Sequence, residues 1–488
     1  MARLHMMLLA ALVCSQAVGQ LRNKNWIFGF GAGLTFENGG PVPYATGLPY
    51  VQISSSISDQ YGELRLVVND EHLRDSSLAI MPNGAGPLFP NGGGLYQGIT
   101  IFPRTGNNDL YDVIIRPGAG PPRYTVHPTH MLVDLSLNNG YGDVVQGSQT
   151  TLQDSVCIAT LGTTHSNGQD YWYVTHERGT DAFLAYRLDA NGFDTVPVVS
   201  NTGPVYVYAT YSSGDLYHQA AQWAFNVPGD KLLVTGYYGV YSTIGDTLPG
   251  ILEVYGFNQT TGEFIRELNL PDLERPIFCE WSPDGSKIYV AERTNPGMDL
   301  YQYDLSSGDS ATIAASRVTI HQFPQYNGAR ELQLGPDGRI YISRTGGLIG
   351  YSFLSCITEP DLPGTACGFV DQYIDFPLPN FPGVVPMLLK QYHDSGFPLA
   401  NPEAREAYDQ QLAIWPNPAE GVAYVKLPLD GDVDRLVITD ATGRLALRVA
   451  PSNFTMQPLD LSGLSPGVYS LGAFAAERRV GVASFVVQ

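Results

Sequence analysis

Short hydrophobic segments, alternating with period two and separated by polar turns, run along most of the chain. The clearest reads WSPDGSKIYVA, from Trp281 to Ala291. Its Pro283-Asp284-Gly285 is a turn cluster: Pro presets φ, Asp hydrogen-bonds the backbone that follows, and Gly accepts a positive φ. Ile277 to Trp281 before it and Lys287 to Ala291 after it read as strands, so the unit is a hairpin. A near copy, LGPDGRIYISR, begins at Leu334. Weaker relatives are WAFNVPGDKLLVTG from Trp223, SISDQYGELRLVV from Ser56 and THSNGQDYWYVTH from Thr164. A second phrase recurs, an aromatic strand ending in a polar turn: AYRLDANG from Ala185, EVYGFNQTTG from Glu253 and YQYDLSSG from Tyr301.

Together the two phrases make a module of roughly 45–55 residues with about four strands, the period of a propeller blade. One sheet of four short strands cannot bury both its faces, whereas sheets packed face to face around an axis can. Modules fall near 50–90, 98–150, 155–205, 217–275, 276–325 and 328–378. The stretch from Asn25 to Phe36 has strands but no hairpin partner, and the stretch from Leu378 to Phe381 has the converse problem. Joining them completes a seventh blade and closes the ring; six and eight blades are the alternatives. Small residues in several first strands (Ser54, Ser55, Ser56, Ala159, Ala220, Ala221) suit the crowded position nearest the axis. From about Pro386 the pattern changes. The segments LAIWPNPAEGVAYVKL, RLVITDATGRLALRV, PLDLSGLSPGVYSL and VGVASFVVQ alternate and are punctuated by turns, predicting a β-sandwich. The expected fold is all-β: a propeller over 20–384, a linker over 385–411 and a small sandwich over 412–488.

Composition narrows the class. Gly (53), Pro (35) and Tyr (29) are abundant and only 15% of residues are charged, a mixture that favours strands and turns over long helices. The net charge of -20 repels phosphate backbones and argues against nucleic acid as a partner. Residues 1–19 read as an export signal: Arg3 and His5, an apolar run from Met6 to Val13, and Ala17-Val18-Gly19 as a cleavage site. No later stretch is long and apolar enough to span a membrane, and the expected assembly is a monomer. Export implies an oxidising compartment. Cys356 and Cys367 flank a loop rich in Pro and Gly, which suits a local disulfide worth about 2–3 kcal/mol. Cys157 and Cys279 read as buried thiols.

Three resemblances rest on particular residues. Trp26, Phe28 and Gly29; Ala32, Gly33, Leu34 and Phe36; Gly168, Asp170, Tyr171 and Trp172; Ala366, Cys367, Phe369 and Val370; and Leu378 to Phe381 occur in an order that resembles secreted propeller proteins of Bacteroidota. The Ser-Pro-Asp-Gly turns are similar to those of tryptophan-aspartate-type propellers. Neither likeness brings a catalytic residue. The tail resembles the type A C-terminal sorting domain of the type IX secretion system, through Trp415, Pro416, Asn417, Pro418, Asp440, Gly443, Arg444, Asp460 to Leu464, Gly467, Val468 and Tyr469. That resemblance implies the type IX secretion machinery as partner, and a destination outside the outer membrane.

Candidate chemistry is sparse. Gly29 to Gly33 lacks the spacing and the following helix of a dinucleotide loop. His127 and His130, three apart in extended chain, face opposite sides, so no metal is expected there. Asp430, Asp432 and Asp434 read as an acidic turn rather than a calcium site, and no cofactor is implied. Glu280, Arg330 and Glu331 lie at or beside predicted innermost strands, where propellers place binding groups; the competing reading is structural ion pairs. Tyr171, Trp172 and Tyr173 suit sugar stacking or, more simply, blade packing. The expectation is a non-enzymatic module binding a protein or glycan. The alternatives are a polysaccharide hydrolase or lyase whose acids come from different blades, and a structural part of the cell envelope.

Overall fold

The computed structural model describes residues 20–488 except 29–30, 38–39, 50–52, 70, 86–96, 117–126, 153–154, 158, 206–207, 212–213, 241–249, 295–296, 325–327, 345–352, 377–384, 387, 394–409, 413, 427–432, 434, 441–444, 450–455 and 476–477. The chain divides into two compact units, Met1–Thr35 with Val42–Leu399, and Ala400–Gln488 with Phe36–Pro41.

Among the described residues, seven antiparallel sheets succeed one another between Asn25 and Asp375. The first has three strands, Asn25–Ile27, Ala32–Glu37 and Gly40–Ala45; the tight return is made by the Phe28 N–H donating to the Ala32 carbonyl at 3.0 Å. The six that follow begin at Ser54–Ser58, Ile99–Pro103, Leu161–Thr164, Tyr208–Tyr211, Pro276–Trp281 and Ala329–Leu334. Sequence order is spatial order within each main path, as hairpin-connected strands require. The repeated phrases are the hairpins expected: Trp281 pairs with Ile288 across one turn and Leu334 with Ile340 across the other. First strands pack against the first strands of the neighbouring sheets, except in the fifth sheet, where the second strand, Gly214–Phe225, which carries Ala220 and Ala221, takes the innermost place. The ring closes where Trp26 meets Tyr341 edge to face, with centroids 5.5 Å apart, and Phe28 meets Phe376 at 5.6 Å. The unit is a β-propeller.

Burial explains the residue choices. Ser54–Ser58, Ile99–Pro103 and Pro276–Trp281 are buried throughout, enclosed on both faces, which is why they do not alternate. The outermost strands, such as Phe264–Asn269 and Phe369–Asp375, are mostly exposed and carry polar residues. The joining of Leu378 to Phe381 onto the first sheet falls outside the described residues. Residues 385–411, expected as a linker, begin differently: Val385, Pro386, Leu389, Lys390 and Tyr392 are buried in the first unit, with Lys390–His393 forming a 3₁₀ turn.

The expected disulfide is not formed. Cys356 and Cys367 are both buried, and no disulfide joins them. Cys356 sits in the strand Phe353–Ile357 opposite Val370, whereas Cys367 ends the 3₁₀ turn Gly364–Cys367 beside Tyr289 of the preceding sheet. The loop between them is closed by backbone bonds instead, Thr358 N–H to the Gly368 carbonyl and Glu359 N–H to the Cys367 carbonyl. Cys157 and Cys279 are likewise buried and outside any disulfide, and burial pushes the Cys157 thiol up to about 12.

The second unit is a strand assembly in the order Leu445–Val449, Arg435–Asp440, Gly467–Ala475, Arg478–Val487, Ile414–Glu420, Val422–Lys426 and Met456–Asp460, with Gln410–Gln411 against Arg478–Val487. Alternation is visible residue by residue: Val422 and Tyr424 are exposed while Ala423 and Val425 join Leu436, Ile438, Leu471 and Phe485 in the core. No helix among the described residues is long and apolar enough to cross a membrane.

Candidate functional site

Propellers present their chemistry where first strands converge, and here that region is polar but already occupied. Glu280, in the strand Pro276–Trp281, is fully buried. Its carboxylate accepts the Trp281 N–H at 2.7 Å, the Leu334 N–H of the next sheet at 2.8 Å, and the Lys390 ammonium. Lys390 also donates to the Phe225 carbonyl at 3.0 Å. Glu331, likewise buried, accepts the Val385 N–H at 2.9 Å. Two of the three predicted binding groups therefore lie on a first strand as expected, but they hold the segment after the last sheet rather than facing solvent. Arg330 is in the strand Ala329–Leu334, and its side chain is outside the described part.

Two glutamines extend the arrangement. Gln97 donates to the Trp223 carbonyl at 2.7 Å and accepts the Trp223 N–H at 2.9 Å. Gln222 treats Leu332 in the same way, accepting its N–H at 3.1 Å and donating to its carbonyl. Converging inner strands of different sheets do not form a ladder with one another, so primary amides supply the missing pairs. The Thr235 hydroxyl lies 2.6 Å from the Gln222 carbonyl and 2.9 Å from the Ile277 carbonyl. The space left among Gln97, Gln222, Glu280, Gln333 and Lys390 is ≈ 10 Å³, about what one water needs. Sequence reasoning missed Gln97, Gln222 and Lys390. A glutamine inside the small, apolar run Ala220-Ala221-Gln222-Trp223 was a usable signal; nothing local marks Lys390.

Residues just before the first sheet meet residues just after the last one. Asn23 Nδ2 donates to the Leu389 carbonyl at 2.9 Å, the Arg22 guanidinium lies 5.7 Å from the Tyr392 ring centre, and the Tyr392 and Tyr171 hydroxyls are 2.9 Å apart. Tyr173 and Trp172 are buried in blade packing. Elsewhere His130 Nε2 lies 2.7 Å from Asp112 Oδ1, and Arg104 Nε donates to Asp112 Oδ2 at 2.6 Å. Burial pushes the Asp112 carboxyl up, but the hydrogen bonds from His130 and Arg104 outweigh it and hold the group below the usual range. Asp430, Asp432 and Asp434 lie outside the described residues.

In the tail unit, the motif residues lock the final strand. Asn417 Oδ1 accepts the Val486 N–H at 2.9 Å, and Tyr469 donates to the Ser465 carbonyl at 2.8 Å. Trp415 stands opposite Tyr424, both with exposed side chains, and Pro416 and Pro418 are exposed beside them. Asp440 pairs with Tyr469 through the backbone; Gly443 and Arg444 are outside the described part.

Fold and axis together define a β-propeller followed by a small all-β domain. The family described as "Secretion system C-terminal sorting domain" matches residues 413–488. The protein is therefore a propeller with a type IX secretion sorting tail, exported to the cell surface or the extracellular space. Among curated proteins none matches the sequence. Solved structures similar to it include a 6-phosphogluconolactonase-like protein of Bacteroides uniformis, at 13% identity over 74% of this chain and 98% of that one, TM-score 0.44. The propeller of Dos1 aligns at 10% identity over 71% and 66%, TM-score 0.34. The Swd1 propeller domain of Myceliophteria thermophila aligns at 11% over 65% and 92%, TM-score 0.36. At these values they carry no inference about substrate or partner.

Proposed function

We propose that the protein is a non-enzymatic binding module, delivered by its sorting tail and engaging a protein or glycan outside the cell. The observation that carries this reading is the commitment of the axial side chains. Glu280, Glu331, Gln97 and Gln222 are each spent on backbone groups or on Lys390, so the groups most able to act on a ligand are holding the ring together. Recognition then falls to the loops and outer strands that differ between the blades. The test uses the full-length protein on glycan arrays and in pull-downs from outer-surface fractions, alongside assays for product release from polysaccharides. Saturable binding without product release is the expected result. Turnover that persists through purification and is lost on a single carboxylate substitution would overturn the reading.

A further inference from the structure

We propose that the axial pocket around Glu280 is a recognition site for a primary ammonium group, and that residues 385–393 are an internal ligand keeping it filled with Lys390. The pocket belongs to the ring, whereas its occupant does not. Glu280 and the Phe225 carbonyl come from two adjacent sheets, the Leu334 N–H that orients the carboxylate comes from a third, and Gln97, Gln222 and Gln333 wall the remaining space. The ammonium arrives on a segment that follows the last sheet. Glu280 is fully buried and Lys390 nearly so. A carboxylate so placed stays charged only if a cation and hydrogen-bond donors accompany it. Glu280 has its donors from the strands, and it takes its cation from the segment.

The segment is also tethered at points that do not involve the lysine. Val385 is held by Glu331, Leu389 by Asn23, and Tyr392 meets Tyr171. Shortening Lys390 therefore leaves the segment docked, with a channel of lysine length ending at a carboxylate. Such a channel fits a straight-chain alkylammonium. In the intact protein the tethered lysine competes at a very high effective concentration, so the axis is closed at this mouth and free amines do not enter. The inference concerns what fills the axis and stands whether or not the binding-module reading holds.

The experiment compares full-length wild type, Lys390→Ala, Lys390→Met and the double variant Lys390→Ala with Glu280→Gln. Thermal midpoints are measured in n-butylammonium chloride, in butanol and in sodium chloride at matched concentration. Lys390→Ala should lose several degrees, and butylammonium should restore them saturably, as a ligand selective for the folded state must. Butanol and sodium chloride should not restore them, wild type should not respond, and the double variant should be indifferent to the amine. If the alanine variant does not accumulate, Lys390→Met, which keeps the volume of the stem, should respond to ammonium chloride but not to sodium chloride. Absence of an ammonium-specific shift in the variant that folds, or an equal shift in the double variant, would overturn the proposal.

Discussion

The turns at Ser282–Gly285 and Gly335–Gly338 share a phrase and a conformation, yet the two aspartates live in opposite surroundings. Gly285 and Gly338 both hold positive φ, 71° and 77°, and the Pro283 ring lies 3.7 Å from where a Cβ on Gly338 would stand. In the first turn Asp284 is exposed; its Oδ1 accepts the Ser286 N–H at 2.8 Å and the Ser282 hydroxyl at 2.8 Å. Burial pushes its carboxyl up, but those hydrogen bonds prevail and the group sits below the usual range. In the second turn one residue is missing, Gly replaces Ser, and Asp337 is largely buried. It accepts from the Tyr341 hydroxyl at 2.7 Å and from Arg339 at 3.2 Å. There burial prevails and the carboxyl is raised. The equivalent tyrosines diverge for the same reason. Tyr289 reaches forward to the Pro360 carbonyl of the next sheet at 2.7 Å, whereas Tyr341 folds back onto its own turn and packs against Trp26. A turn facing another repeat can spend its tyrosine on that repeat; the last one meets the chain's beginning, where Trp26 leaves no room for it.

The largest difference should come from Asp337→Ala, which removes the acceptor of the Tyr341 hydroxyl and the carboxylate beside Arg339. It should cost about 2–3 kcal/mol in denaturant unfolding, against about 1 kcal/mol for Asp284→Ala. Equal costs would erase the distinction between the turns. Gly335→Ala comes next. An added Cβ would stand 2.6 Å from a Tyr341 ring carbon and 2.8 Å from Asp337 Oδ1, an overpacking cost of about 1–3 kcal/mol. The matching change Ser282→Ala loses only a hydroxyl that bonds Asp284 and the Lys287 N–H, about 1 kcal/mol. Tyr289→Phe should cost about 1 kcal/mol and speed amide exchange across 358–367, while Tyr341→Phe leaves that loop's exchange unchanged. Protection lost in both variants would mean that the two tyrosines act alike.

The smallest effect is a pH dependence of that loop. Asp361 Oδ1 accepts the Asp284 N–H at 3.1 Å, and burial together with the neighbouring Asp284 carboxylate raises Asp361 to about 6. A group raised above its unfolded value of about 3.9 contributes stability below that value and loses it as pH rises through about 6. Asp284, lowered, works in the other direction and loses its contribution only in strong acid. Exchange across 358–367 should therefore quicken, beyond the intrinsic chemical rate, between about pH 4 and about pH 6, and Asp361→Asn should remove the change. An unchanged profile in the variant would refute the assignment to Asp361.

Much of this architecture was legible because it is written locally. A Pro-Asp-Gly between two alternating apolar runs makes a hairpin wherever it occurs, so the strands at Pro276–Trp281 and Lys287–Thr294, and those at Ala329–Leu334 and Ile340–Arg344, follow from their own residues. The recurrence of such hairpins implies stacking around an axis, and the order of motifs from Trp415 to Tyr469 marks the tail. The predicted disulfide is absent because loop length says nothing of direction: Cys356 stands opposite Val370 in its own sheet while Cys367 turns toward Tyr289. Glu280 and Glu331 were found on first strands by the repeat, yet their role depended on Lys390 and Val385, more than fifty residues away.

By itself, then, the sequence determined the strands, the turns, the repeat and the sorting tail, since each depends on steric and hydrogen-bonding preferences that span only a few residues. The tertiary structure decided which carboxylates are buried, which aspartate is raised and which lowered, and that the axis is filled by the chain's own lysine. Burial and charge pairing are properties of neighbours in space. In a ring those neighbours are set by closure, which brings Asn23 to Leu389 and Glu280 to Lys390.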